Sequence, residues 1–172
     1  MDIYFRRMNH SDIDSVKRLI DKTLLHKSMQ KVYEPSEIAI WDSIYDIDNL
    51  RRIVENSHAY LLFDKDSDQL LASGYIGLNN KHSAHIGMIF TDPDVRNLGL
   101  GKKIVEVLEQ DEYAKIVEKI ELSSSLSAYK FYRKLGYSCK DNEYQIEVDE
   151  STDTYSVPLE KYVEDIEKTA LQ

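Results

Sequence analysis

Apolar and polar positions along the chain alternate between two periods, and the change from one to the other marks out the elements. Ile3-Tyr4-Phe5-Arg6 is expected to be a short first strand. Ser11 with Asp14 three residues later has the form of a capping box, ahead of Ile13, Val16, Leu19, Ile20 and Leu24 at helical spacing. A second helix is predicted from Ser36 to Tyr45, carrying Ile38, Ile40, Trp41 and Ile44, and a short one around Asp48 to Val54. Three strands follow, Ala59 to Phe63, Leu70 to Leu78 and Ser83 to Thr91, joined by the polar turns Asp64 to Gln69 and Asn79-Asn80-Lys81. From Gly99 the period becomes helical again, with Leu100, Ile104, Val107 and Leu108 on one face. Lys119 to Leu122 is a plausible strand. Ala128, Phe131, Tyr132 and Leu135 mark a helix that stops at Gly136, a natural C′ residue. Two strand-like pieces close the chain, at Tyr144 to Ile146 and Tyr155 to Leu159, around an acidic turn from Asp149 to Asp153.

This order predicts one α+β domain over residues 1–163, with a mixed, mostly antiparallel central sheet flanked by helices, and a C-terminal tail over 164–172. There is no internal repeat. Without an apolar run of 18 residues, no membrane span is expected. The start, Met1-Asp2-Ile3-Tyr4-Phe5-Arg6-Arg7, lacks the basic and apolar segments of a secretion signal. With one cysteine, Cys139, an internal disulfide is ruled out, and a cytoplasmic protein is expected. The net charge of −9 argues against nucleic acid as a partner and suits a cationic ligand, although acidity also simply keeps a protein soluble.

The chemistry concentrates between Phe90 and Lys102. The chain leaves a strand, turns at Asp92-Pro93 and enters an amphipathic helix through Gly99 and Gly101. Helix N-termini carry unpaired N–H groups and the positive end of the macrodipole, and glycines let a diphosphate approach them. Arg96 and Lys102 add cationic charge. A Walker A loop requires glycine at Arg96 and Ser or Thr at Lys103, and a dinucleotide fingerprint requires glycine at Ile104. Both are excluded by position. A tight strand-to-helix turn with no ligand remains the plain structural alternative.

Arg96-Asn97-Leu98-Gly99-Leu100-Gly101, following a strand that ends in Asp92-Pro93, resembles the pyrophosphate motif of the GNAT N-acetyltransferase superfamily. Ser125-Leu126-Ser127-Ala128-Tyr129-Lys130-Phe131-Tyr132-Arg133-Lys134-Leu135-Gly136-Tyr137 is similar to a second motif of that family, and Val157-Pro158-Leu159-Glu160-Lys161 resembles its last strand. The resemblance covers nearly the whole chain. It implies acetyl-CoA as co-substrate, no metal, and transfer of acetyl to a primary amine: a polyamine, another small amino compound or a peptide N-terminus. Backbone groups of Arg96, Asn97, Leu98, Gly99, Leu100, Gly101 and Lys102 are implied to hold the pyrophosphate, and the main chain of Ile89 and Thr91 the pantetheine. Tyr132 matches the tyrosine that protonates the departing thiolate, and Ser125 stands where the family usually has asparagine. The family's acceptor cleft falls on the region of Tyr33, Glu34, Trp41 and Tyr45.

For the base that takes the amine proton, the best-aligned position is His85, with Glu34 and Glu37 as alternatives and an exposed strand histidine as the plain reading. His82 and His85, three apart, are expected on opposite sides, which discourages a metal site. Asp64-x-Asp66-x-Asp68 mimics a calcium loop, but Gln69 and Tyr75 occupy the required glycine and glutamate positions, so a solvated turn is expected. Cys139 lies outside the motifs and is a poor covalent nucleophile, so direct attack in a ternary complex is expected. A non-catalytic acyl-CoA-binding domain of the same fold is the alternative function, as a monomer or a homodimer.

Overall fold

The computed structural model describes residues 1–95, 98–149 and 154–170. The chain divides into two compact units, Met1–Ile76 with Met88–Leu108, and Gly77–Gly87 with Glu109–Gln172.

In the first unit, β1 (Ile3–Arg7) pairs antiparallel with β2 (His58–Asp64), and β2 with β3 (Leu70–Leu78) through a bulge at Leu62/Phe63. Between β1 and β2 run α1 (Ile13–Leu24), α2 (Lys27–Gln30), α3 (Pro35–Ile44) and α4 (Ile47–Asn56). The second half of β4 (Ser83–Thr91) and α5 (Leu100–Glu109) complete it. β2 is continuously apolar from Leu61 to Phe63 because it feeds two cores. Leu61 and Phe63 pack with Val16, Ile20, Leu24, Leu50 and Met88, whereas Leu62 packs with Leu71, Ala72, Leu100 and Ile104.

The capping box lies earlier than Ser11 and Asp14. Asn9 accepts the Ser11 N–H at 2.9 Å and Asp12 accepts the Asn9 N–H at 2.9 Å, so a 3-10 turn over His10–Asp12 precedes α1. Asp12 is drawn there because Arg6 clamps both of its carboxylate oxygens at 2.7 Å.

In the second unit lie α6 (Glu112–Lys115), β5 (Lys119–Ser124), α7 (Tyr129–Lys134), β6 (Ser138–Cys139), β7 (Glu147–Asp149), β8 (Thr154–Tyr162) and α8 (Val163–Ala170). β5 and β8 pair antiparallel from Lys119↔Tyr162 to Ser124↔Val157, and β6 and β7 both pair antiparallel with β8. The first residues of β4 run parallel to β5. Hydrogen-bonded strand order is β1-β2-β3-β4-β5-β8-β6, with β7 attached to β8. The result is a mixed α/β fold with an open, mostly antiparallel sheet flanked by helices, as the sequence predicts.

Several elements depart from the sequence expectation. The strand expected at Tyr144 to Ile146 falls instead on Glu147–Asp149, and of the expected acidic turn Glu150 to Asp153 lie outside the described residues. α2 and α6 have no apolar period because each is one turn long. They are held by caps, His26 Nδ1 accepting the Ser28 N–H and Asp111 accepting the Tyr113 N–H. Residues expected as a tail form α8. No described helix is long and apolar enough to cross a membrane.

Candidate active site

In the first unit, β4 carries an unusual backbone. Met88, buried and mid-strand, has φ +55°. A non-glycine residue in the left-handed region re-aims its amide away from the regular ladder. That amide donates to the Tyr45 hydroxyl at 3.1 Å, and the Met88 carbonyl accepts from Ser73 Oγ at 3.1 Å. Tyr45, next to α3, also meets the Phe90 ring edge-on at 5.2 Å. Burial, with Tyr75 beside it, pushes the Tyr45 phenol up to about 12. Further along the strand, the Ile89 side chain packs over Gly74, and the Thr91 carbonyl accepts from Thr23 Oγ1 at 3.1 Å.

The turn that follows is tied down by Asp92, only 4% exposed in its side chain. Lys22 from α1 donates to one carboxylate oxygen at 2.6 Å and Gln69 to the other at 2.8 Å, while the Asp94 N–H donates to the first at 2.9 Å. Burial alone raises a carboxyl, but these donors together hold Asp92 below the ordinary range. Of the expected pyrophosphate residues, Arg96 and Asn97 lie outside the described residues. Leu98 and Leu100 pack into the Leu62–Ile104 cluster and so anchor the loop by their side chains. Gly99 has φ +64° with nothing within 4 Å of a would-be Cβ, so backbone conformation rather than crowding calls for glycine there. Gly101 is already in α5, and Lys102 is exposed, 3.5 Å from Glu106.

In the second unit, β4 pairs with β5 over three residues only, Ser83↔Lys119, Ala84↔Ile120 and His85↔Glu121. The His85 ring packs against Gly77 so closely that a Cβ there would stand 2.8 Å from Cε1. Burial pulls the His85 imidazole below its ordinary pKa, and nearby Glu121 opposes that shift. Although burial raises the Glu121 carboxyl, Lys119 at 3.0 Å, Ser83 and Asn79 hold it lower overall. Lys119 also reaches Glu160 at 2.7 Å. His82 is turned to Glu118 at 2.7 Å, apart from His85. Among the described residues no group of three or more His, Cys, Asp or Glu is placed to hold a metal.

Tyr132, on α7, is 9% exposed and stacks edge-on with Phe131 at 4.9 Å and Tyr137 at 6.0 Å. Ser125 Oγ lies 3.4 Å from Ser127 Oγ in the turn before α7. Gly136, at φ +90°, ends that helix as expected. Of the alternative bases, Glu34 and Glu37 form the reciprocal capping box of α3, Glu37 accepting the Glu34 N–H at 2.9 Å. Tyr33 and Trp41 pack edge to face at 4.5 Å, with Trp41 partly buried against the first core. Asp64 to Asp68 is a hairpin turn, in which Asp64 accepts from Ser67 Oγ at 2.8 Å and Tyr4 holds Asp68.

Sequence reasoning missed three residues. Asp92 stands out in the sequence only as a turn former and Tyr45 only as one aromatic in a cleft region, while Glu121 is not singled out there. For Glu121 the available signal is Lys119, which at i, i+2 shares its strand face.

A family model described as an acetyltransferase (GNAT) domain matches residues 29–148. No curated protein sequence matches the chain. Among solved structures, a GCN5-related N-acetyltransferase from Rhodopseudomonas palustris is 13% identical with a TM-score of 0.74, over 94% of this chain and 96% of that one. The PaiA N-acetyltransferase from Thermoplasma acidophilum, solved in complex with coenzyme A, is 14% identical with a TM-score of 0.71, over 94% of this chain and 99% of that one. A GNAT-family acetyltransferase from Staphylococcus aureus is 16% identical with a TM-score of 0.68, over 94% and 99%. At such identities the solved structures speak for the fold, and the family match supplies the rest. With 29–148 making up more than half of its length, the chain belongs to the GNAT acetyltransferase family.

Proposed function

We propose that this protein transfers an acetyl group from acetyl-CoA to a primary amine by direct attack in a ternary complex. The observation that carries the reading is the early end of the β4–β5 ladder. After His85↔Glu121, β4 continues from Ile86 to Thr91 with no β5 partner among the described residues. Such a strand edge can pair with the amides of an extended ligand, here the pantetheine arm. In the first unit the main chain of Ile89 and Thr91 takes that arm, with the Thr91 carbonyl already engaged by Thr23. Amides from Arg96 to Lys102 take the pyrophosphate at the start of α5. The resemblance of the Ser125–Tyr137 segment gives Ser125 a hydrogen bond to the pantetheine and Tyr132 the acid role.

His85, neutral near pH 7 because burial disfavours its cation, accepts the proton that the amine loses as its N–C bond forms. Tyr132 donates a proton to sulfur as the C–S bond breaks. The net charge of −9 favours a cationic acceptor such as a polyamine, an amino compound or a peptide N-terminus. Ser125, with its shorter reach than asparagine, favours a second reading, a domain that binds acyl-CoA without turnover.

Thiol release from acetyl-CoA against a panel of amines separates the two. Tight acetyl-CoA binding with no release on any amine would falsify the catalytic reading. Tyr132→Phe is expected to lower kcat by about 100-fold, the lower range for a general acid, with acetyl-CoA affinity retained. An unchanged kcat removes Tyr132 from the acid role. For His85→Ala the acidic limb of the pH–rate profile, which lies below the ordinary histidine pKa of about 6.5, is expected to disappear. If that limb persists, His85 is not the base.

A further inference from the structure

The Tyr45 hydroxyl has a single hydrogen bond among the described residues, and in it the oxygen is the acceptor, from the Met88 N–H at 3.1 Å. A phenol can accept and donate at once, so its proton is still to be given. Burial keeps that proton in place at any physiological pH. Met88 is held on both sides, since its carbonyl is taken by Ser73 at 3.1 Å. Its left-handed backbone is what turns the amide out of the ladder toward the tyrosine. A donor that itself accepts a hydrogen bond is polarised by it and donates more strongly.

Acyl transfer creates a need for such a donor. As the amine nitrogen attacks the thioester carbon, the carbonyl π electrons move onto oxygen, and they return when the C–S bond breaks. Donors aimed at that oxygen stabilise the intermediate. The place of the thioester follows from the reading above, on which this inference rests. The pyrophosphate lies after the C-terminal end of β4, and the pantetheine arm runs back along Thr91 and Ile89. Three residues of strand, about 10 Å, bring its sulfur end to Met88.

We propose that Tyr45 is a catalytic residue whose hydroxyl donates a hydrogen bond to the thioester oxygen, backed by the Met88 N–H. No proton is transferred by it. The amine proton leaves to the base, and the sulfur receives its proton from the acid.

Two measurements on the full chain test this. Infrared spectroscopy of acetyl-CoA carrying 13C at the carbonyl reads the donor directly and needs no turnover. The bound carbonyl stretch is expected at lower frequency than free acetyl-CoA in the wild type, and back toward the free value in Tyr45→Phe. The same frequency in both proteins overturns the proposal. In turnover with an accepted amine, Tyr45→Phe is expected to lose about 100-fold or more in kcat, with KM for acetyl-CoA within about twofold. A kcat within about threefold of wild type also overturns it. Should Tyr45→Phe not fold, site-specific 3-fluorotyrosine at position 45 keeps the Met88 contact while making the phenol a stronger donor. A further downshift of the carbonyl is then expected, and no change refutes the assignment. Absence of turnover on every amine in the wild type counts against acetyl transfer, while the infrared comparison still decides Tyr45.

Discussion

Lys161 on β8 and Glu109 at the end of α5 form an ion pair of 2.8 Å within the second unit, their side chains 9% and 7% exposed. The ammonium also lies 5.5 Å from the centre of the Tyr137 ring. Tyr137 is fully buried, with the Glu109 carboxylate beside its hydroxyl. Burial first, and then the Glu109 carboxylate, push that phenol well above its ordinary pKa. A buried pair adds little over a well-packed apolar one, but removing one partner strands the other charge. Lys161→Met is therefore expected to cost about 3–5 kcal/mol, a large share of the roughly 5–15 kcal/mol that holds a domain together. At roughly 2–4 °C per kcal/mol for a chain of this size, the melting temperature falls by about 6–20 °C. Glu109→Leu alone is expected to cost a similar amount. The double variant, with no stranded charge, should be more stable than either single one and approach the wild type. Urea unfolding of the four proteins at pH 7 gives the cycle. A loss below about 1 kcal/mol for Lys161→Met, or a double variant whose loss equals the sum of the single losses, refutes the stranded-charge reasoning.

Two further outcomes follow from the first unit. Asp92 has a folded pKa below its unfolded one, so its contribution is full above an unfolded value of about 3.9 and is lost as pH falls through the folded value. Asp92→Asn is expected to cost about 1–3 kcal/mol at pH 7 and to flatten the decline of stability toward pH 3, and urea melts across that range with an unaltered slope would count against it. At Gly74 a methyl group would stand 2.9 Å from Ile104 Cγ1, 2.9 Å from Ile89 Cδ1 and 3.0 Å from Leu108 Cδ1. Gly74→Ala is thus expected to lower the urea midpoint by an amount equal to about 1–3 kcal/mol, and Ile89→Val in the same chain to restore part of it. A midpoint at or above that of wild type shows that the three side chains can yield.

The long elements were legible because they bury one face. Val16, Ile20 and Leu24 fix α1, and the apolar run Ala59 to Phe63 fixes β2. α2 and α6 were hidden because a one-turn helix is set by a capping atom rather than by a period. β7 was displaced from Tyr144–Ile146 because alternation is shared by strand and coil, and pairing with Thr154–Ser156 of β8 decides between them. At the site, Gly99 could be read because a positive φ selects the residue type. The Met88 backbone could not, since methionine gives no sign of a left-handed conformation. Its hydrogen bonds to Tyr45 and Ser73 join residues 43 and 15 positions away, and no local pattern records them.

The contact between Gly77 and His85 bears on how the protein can change over generations. With the ring 2.8 Å from where a Cβ would stand, any side chain at 77 has to displace the imidazole. The reverse route is open, because a small residue at 85 vacates the space that an alanine at 77 would fill. Descendants that lose the histidine first are then free to abandon the glycine, whereas those that keep the histidine can take a side chain at 77 only by shifting the ring. The two positions form one unit of inheritance, and an alignment of close descendants should show them changing in that order.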